Sequence, residues 1–269
     1  MFQRAAWALL HAESAGAALP ESGAAEARAR FAAGVPLFVA ARPAFAADPP
    51  FGLLAGLARE AGRAFGAEGA REIEKAARRR RPEAAAALEA ALRRDPEQLR
   101  AAALALKAPP GLAGTLCELA VSPSLQGLAA SAQGVLAAAA WGRGYCPFCA
   151  AWPLLGELRQ ADQGRYLRCG LCGADWPFAR LACPFCGESD HRHLRALHVE
   201  GEAEFRRAET CDSCRGYVKT LARLAPTPPA LLPVEDLATA YLDLLALDAG
   251  FGKPDRAPSF RATSNPTAA

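Results

Sequence analysis

Eight of the nine cysteines fall into four Cys-x-x-Cys pairs: Cys146/Cys149, Cys169/Cys172, Cys183/Cys186 and Cys211/Cys214. Such a turn aims two thiolates at one point, and two turns complete a tetrahedral all-sulfur site. Eight sulfurs therefore predict two four-coordinate metal ions. The 19 residues between Cys149 and Cys169 match the spacing of a metal ribbon, and the 24 between Cys186 and Cys211 are slightly long but workable. Four turns pair into two sites in three ways. Sequential pairing joins Cys146, Cys149, Cys169 and Cys172, then Cys183, Cys186, Cys211 and Cys214. It is favoured because each half then carries its own hairpin-sized insert; an interleaved cross-brace is the main competitor.

The residues around the turns suit metal. Pro147 and Pro184 follow the first cysteine of their pairs and pre-set φ for a tight bend. Gly173 and Gly187 follow the second cysteine, where φ > 0 and a backbone N–H aimed at sulfur are wanted. Ala150 and Arg215 stand at that position in the other two turns, which are therefore expected to be shaped differently. Disulfides fit poorly: the cysteine total is odd, the opening MFQRAAWALLHAESAG reads as an amphipathic helix rather than a signal peptide, and a chain of 269 residues does not need staples. A thioredoxin-like use needs a pair at a helix N-terminus in a βαβ setting, and residues 146–214 offer no such helix.

Charge narrows the partners. The chain carries a formal +3, and no run of 18 apolar residues suggests a membrane span. The expected compartment is the reducing cytoplasm. Residues 143–224 hold 12 Lys and Arg against 10 Asp and Glu, a formal +2 that two dianionic thiolate cages would turn to −2. That is a poor footprint for nucleic acid.

The elements that must position these cysteines give an α+β chain. Residues 1–142 read as an alanine-rich bundle of about six helices. Asp48-Pro49, Asp95-Pro96 and Ser122-Pro123 are helix-start signatures, and Gly34-Val35-Pro36 and Ala108-Pro109-Pro110-Gly111 are breaks. Leu53, Leu54, Leu57, Ala61, Ala64 and Phe65 share one helix face. Glu83–Arg94 and Pro96–Lys107 are two further helices. Arg78–Arg81 reads as a solvated helix C-terminus, and Cys117 as a buried thiol. Two small ribbon-like β modules follow, at 143–178 and 179–224, with strands expected at Arg165–Cys169, Trp176–Cys183, His193–Val199 and Tyr217–Leu221. Trp152, Tyr166, Trp176 and Phe178 are expected to form the small cores beside the metals. His191, His193 and His198 lie near the second site and read as surface histidines. Residues 225–250 hold a proline-rich linker and an amphipathic helix over Val234–Asp248, and 251–269 reads as a disordered tail.

The runs WGRGYCPFCAAWPLL, RYLRCGLCGADWPFARLACPFCGES, AETCDSCRGYVKTL and PVEDLATAYLDLLALDAGF resemble the FdhE family of formate dehydrogenase accessory (formation) proteins over about residues 139–251. The resemblance implies a helical domain followed by two rubredoxin-like modules, with the eight paired cysteines as ligands. It favours iron, with zinc as the alternative. It also implies a cytoplasmic role in forming active formate dehydrogenase, through binding of the catalytic subunit.

No Ser/His/Asp cluster, phosphate loop or dinucleotide fingerprint accompanies these features, so the chain does not read as an enzyme. The leading reading is a binding scaffold held in shape by metal. A rubredoxin-like redox protein acting on a client's cofactor is the alternative, and a nucleic-acid-binding ribbon ranks last.

Overall fold

Proline and glycine set the boundaries of the alanine-rich helices. The computed structural model describes residues 6, 8–10, 17–18, 24–132, 141–201 and 205–254. Most of the expected N-terminal amphipathic stretch, and the tail beyond 254, lie outside them. Helices α1 (Ala24–Ala32), α2 (Leu37–Ala41), α3 (Phe51–Phe65), α4 (Ala70–Arg78), α5 (Pro82–Leu92), α6 (Pro96–Ala105) and α7 (Pro110–Ser131) follow one another, and Ala17–Ala18 (β1) pairs with Ala44–Phe45 (β2). Asp95 caps α6 as expected: its carboxylate accepts the Gln98 N–H at 3.0 Å. The two other helix-start signatures do not act as starts. Helix α3 begins at Phe51 behind Pro50, without a side-chain cap, and Asp48 pairs with Arg80 instead. Helix α7 runs through Pro123, because one missing N–H costs a single rung in a helix of 22 residues that is buried along its length.

Chain contacts divide the protein into two units, one built on Phe38–Ser131 and the other joining Arg28–Leu37 to the chain from Ala132 onward. In the first, Leu53, Leu54, Leu57, Ile73, Leu88, Leu92 and Leu116 are sealed among alanines whose small side chains let helices approach closely. The α3 face stops at Ala61. Ala64 and Phe65 are exposed, in the last turn before Gly66 ends the helix in the left-handed region. Cys117 lies in this core, and burial pushes its thiol up to about 12. Arg79, Arg80 and Arg81 are exposed just past the end of α4.

The second unit is organised by a six-stranded sheet in the order β5-β4-β3-β8-β7-β6. Its strands are β3 (Leu155–Arg159), β4 (Gly164–Arg168), β5 (Asp175–Pro177), β6 (Leu194–Leu197), β7 (Arg206–Cys211) and β8 (Tyr217–Arg223). The two expected ribbon modules thus share one sheet. Each is an antiparallel set of three strands, and they join through parallel pairing of β3 with β8, from Leu155↔Lys219 to Arg159↔Arg223. The strand expected at Trp176–Cys183 is cut to Asp175–Pro177, because the chain must turn into the third cysteine knuckle. The expected C-terminal helix is two, α8 (Leu232–Ala238) and α9 (Ala240–Asp248), broken at Thr239, whose hydroxyl donates to the Glu235 carbonyl at 2.7 Å. Helix α9 covers one sheet face, packing Leu242 and Ala246 on Ala208, Tyr217 and Phe251. Among the described residues no helix is long and apolar enough to cross a membrane.

Beneath the helices the sheet buries charge in pairs. Glu157 is fully buried between Arg168 (2.8 Å) and Arg159 (2.8 Å), and it also accepts the Thr227 N–H at 3.0 Å. Burial alone would raise its pKa, but the two guanidiniums and Thr227 outweigh that and hold it low. Lys219, equally buried, pairs with Asp243 at 2.6 Å and Asp236 at 2.7 Å.

Candidate metal centres

The four knuckles share one backbone. In each, the residue after the second cysteine donates its N–H back to the first cysteine's carbonyl, from Ala150, Gly173, Gly187 and Arg215 at 2.9–3.1 Å. In each, the first cysteine's own N–H closes the loop on the carbonyl five residues ahead, in Ala151, Ala174, Glu188 and Gly216, at 2.8–3.0 Å. Reversal at the residue after the second cysteine requires positive φ, and all four have it: 65° at Ala150, 70° at Gly173, 80° at Gly187 and 58° at Arg215. The expectation that Ala150 and Arg215 would shape their turns differently is therefore corrected. The loop geometry is dictated by the hydrogen bonds, and a non-glycine residue accepts the left-handed conformation at a cost of about 1–2 kcal/mol.

These knuckles assemble sequentially. Cys146, Cys149, Cys169 and Cys172 form one group and Cys183, Cys186, Cys211 and Cys214 the other, with the sulfurs of each group within 4.8 Å of one another. Across the first cage Cys146–Cys172 is 3.5 Å and Cys149–Cys169 is 3.4 Å; across the second, Cys183–Cys214 is 3.6 Å and Cys186–Cys211 is 3.7 Å. Disulfide sulfurs would stand about 2.05 Å apart. A tetrahedron of thiolates around zinc, with bonds near 2.3 Å, has edges of about 3.8 Å. All nine cysteines are unbridged, and the donor sets fit a four-coordinate ion at each cage. With four sulfurs spent on one ion, no coordination position is left for a substrate.

Within a cage the thiols are biased in opposite directions. Hydrogen bonds from Cys146, Cys149 and Cys172 pull Cys169 well below the usual thiol range, while burial pushes Cys146 and Cys172 up. In the second cage burial raises Cys183, and raises Cys214 to about 11. Backbone N–H groups of Leu171 and Cys172, each 3.4 Å from the Cys169 sulfur, supply the donors that a thiolate wants.

The surroundings differ more than the cages do. All four cysteines of the first are buried, whereas Cys186 and Cys214 of the second are exposed. A run of aromatics shelters the first: Phe31 stacks on Trp141 (4.9 Å between ring centres), Trp141 meets Tyr145 edge-on (5.5 Å), and Tyr145 meets Trp152 (6.2 Å). Trp152 in turn touches Phe185, inside the third knuckle, at 5.3 Å. Residues 28–37 hold this cover on. Leu37 N–H donates to the Pro147 carbonyl at 2.8 Å and the Tyr145 hydroxyl to the Gly34 carbonyl at 2.9 Å. Gly34 has φ of 90°, and a Cβ there would run into the Arg143 guanidinium. Of the aromatics expected beside the metals, Trp176 is fully buried, while Trp152, Tyr166 and Phe178 are half-buried.

Around the second cage the neighbours are polar. Glu188 accepts from the Ser213 hydroxyl at 2.6 Å and lies 3.1 Å from His193 Nδ1, and Ser213 leads the bonds that hold the Glu188 carboxyl down to about 2. His191, His193 and His198 are exposed, and neither cysteine group includes them. Arg215 does a second job that its position in a knuckle did not suggest. Its guanidinium donates to the Ala249 and Gly250 carbonyls at 2.9 and 3.1 Å and stacks on Phe251 at 3.9 Å. The fourth knuckle is thereby tied to the end of α9, where a cation suits the free carbonyls.

Two family models match this region: the FdhE central domain over residues 145–180 and the FdhE C-terminal domain over residues 181–259. Among curated proteins, an FdhE homolog of Stutzerimonas stutzeri is 41% identical over 112 residues, which is 40% of this chain and 35% of that protein. One from Aquifex aeolicus is 31% identical over 119 residues, 43% of this chain and 41% of that protein. FdhE of Escherichia coli O127:H6 is 34% identical over 113 residues, 41% of this chain and 36% of that protein. The matched stretch thus spans little more than a third of these relatives' length. The crystal structure of the FdhE protein from Pseudomonas aeruginosa superimposes with a TM-score of 0.59 at 25% identity, covering 96% of this chain and 85% of that one.

Proposed function

From the premise that this chain belongs to the FdhE family, we propose that it is an accessory factor in the formation of formate dehydrogenase, a cytoplasmic, non-enzymatic protein that binds the immature catalytic subunit. The observation that carries the reading is the coincidence of the two cysteine cages with the stretch matched by the family models. Cys146, Cys149, Cys169 and Cys172 would hold one ion and Cys183, Cys186, Cys211 and Cys214 the other, with iron favoured over zinc. Each ion would supply closure: four ligands from two turns fix a module with little core of its own. The sheet and its aromatic cover then offer the client a rigid surface.

The test is co-purification of the catalytic subunit of a formate dehydrogenase with the freshly reduced, metal-loaded chain. The expected result is capture that is lost when the metals are stripped; failure of the loaded protein to capture the subunit sinks the reading. A second reading, electron transfer to a client's cofactor, is favoured by the exposure of Cys186 and Cys214. It requires iron in the second cage and a visible thiolate-to-iron band that bleaches on reduction. A colourless, zinc-loaded protein that still captures the subunit excludes it.

A further inference from the structure

We propose that an arginine-lined hollow on the open face of the sheet, beside the second cage, binds an acidic segment of the client interleaved with apolar side chains. The proposal rests on the accessory reading above and names the chemistry of the contact. Helix α9 covers the face that carries Ala208 and Tyr217. Strand residues alternate, so Arg207, Glu209 and Val218 point to the opposite face. There a hollow of about 440 Å³ opens, lined by three arginines, Arg165, Arg180 and Arg207; Arg195 also borders it, but its register opposite Thr210 turns its side chain to the α9 face. Glu209 is the sole carboxylate among the described residues that line it.

Among the described residues, cations outnumber their internal partners. Arg165 and Arg207 both draw on Glu209, at 2.7 and 2.9 Å. Arg195 pairs with Asp212 at 2.8 Å, outside the hollow. Among the described residues Arg180 reaches only the Gln163 carbonyl, at 3.0 Å. Arg165 is nearly fully buried and its Nη1 donates to the Ala179 and Ala182 carbonyls at 2.9 and 3.0 Å, yet among the described residues its Nε–H finds no acceptor. An unbalanced group of guanidiniums at a concave, partly apolar surface is a carboxylate-binding arrangement.

The lining argues for a peptide rather than a compact anion. Arg165 and Arg207 are already bridged by Glu209, so a phosphate would find them occupied, and Arg180 is the cation of the hollow with no carboxylate partner among the described residues. The floor is apolar, from Leu158, Leu194 and Val218, and the rim carries Leu181, a large apolar side chain left 66% exposed. An apolar residue of the segment would rest there while an acidic neighbour meets Arg180.

The test uses the full, metal-loaded chain and its Arg180→Glu and Leu181→Asp variants, both at exposed or half-exposed positions outside the cages. A fluorescein-labelled peptide of alternating Glu and Leu should bind the parent, weaken with added salt, and bind each variant roughly tenfold less tightly. Its Lys/Leu counterpart should not bind. Capture of the formate dehydrogenase subunit should fall in parallel, with two metals per chain and the melting temperature retained. If parent and variants hold peptide and subunit equally, the hollow is not the contact, although the accessory reading survives. If the parent captures no subunit, that reading fails, and the peptide measurement still judges the hollow. If inorganic phosphate or single-stranded oligothymidine displaces the peptide at comparable concentration, the site is a general anion site and the proposal is overturned.

Discussion

The two cysteine cages are built on the same loop and housed differently. Their knuckles close with the same hydrogen bonds, and positive φ recurs at Ala150, Gly173, Gly187 and Arg215 alike. The first is sheltered by Trp141, Tyr145 and Trp152, whereas the second shows Cys186 and Cys214 to solvent beside Glu188, His193 and Ser213. Ligand identity and loop shape are held constant, so any difference in behaviour must come from the surroundings. The contrast teaches that one ligand set on one loop shape can be housed in a sealed setting or an open one.

The harshest way to break this comparison is to remove one ligand from each cage. Cys169→Ala takes away a buried sulfur and leaves three others without an ion. Structural thiolate sites bind metal with about 10–16 kcal/mol, more than a domain's whole margin, so the variant should lose the sheet's cooperative melting and its near-ultraviolet signal. Cys186→Ala should instead give a folded protein with one metal per chain, as read by elemental analysis. Equal collapse of both variants would erase the distinction.

Breaking the buried pairs beneath the first module comes next. Glu157→Ala strands buried Arg168 without its carboxylate and leaves Arg159 to Asp175 alone, and it should destabilise the chain by about 3–5 kcal/mol in denaturant unfolding. The same pairs set an acid limit. Because the Glu157 pKa is held below its ordinary value, its contribution is present above about pH 4.3 and fades as pH falls through the depressed value.

Chelator challenge sharpens the comparison without mutation. Release of two ions should be biphasic, the faster phase belonging to the second cage and disappearing in Cys186→Ala. A single phase in the parent would contradict the difference in shelter. The finest contrast lies between the two non-glycine knuckles. Ala150→Gly relieves left-handed strain and should stabilise by about 0.5–1 kcal/mol. Arg215→Gly relieves the same strain but cuts the bonds to Ala249 and Gly250 and the stack on Phe251, so thermal melting should show a net loss of about 1 kcal/mol.

Much of this architecture was legible because it is local. A Cys-x-x-Cys turn needs only its neighbours, so the eight cysteines gathered into two groups could be read from spacing, and Asp95-Pro96 marked its helix for the same reason. Strands β3 and β7 escaped. Their sequences, LGELR and RRAETC, put Glu157, Arg159 and Glu209 where a strand is expected to be apolar, and the buried partners Arg168 of Glu157 and Arg165 of Glu209 sit on β4. Parallel pairing of β3 with β8 leaves no trace in either sequence, since neither strand is near the other along the chain. The attachment of residues 28–37 to the metal-bearing unit was hidden likewise; Gly34-Val35-Pro36 announced a break and not what it would cover.

That parallel register carries a consequence for synthesis. Strand β3 is complete at Arg159, but the neighbour it needs begins at Tyr217, 58 residues later. At a translation rate of about 5–20 residues per second, the first ribbon spends roughly 3–12 s beyond the ribosome with one side of β3 unpaired. Throughout that interval the nascent chain presents a strand edge to any extended polypeptide nearby. Arrival of β8, beyond the last of the eight paired cysteines, is the event that retires it.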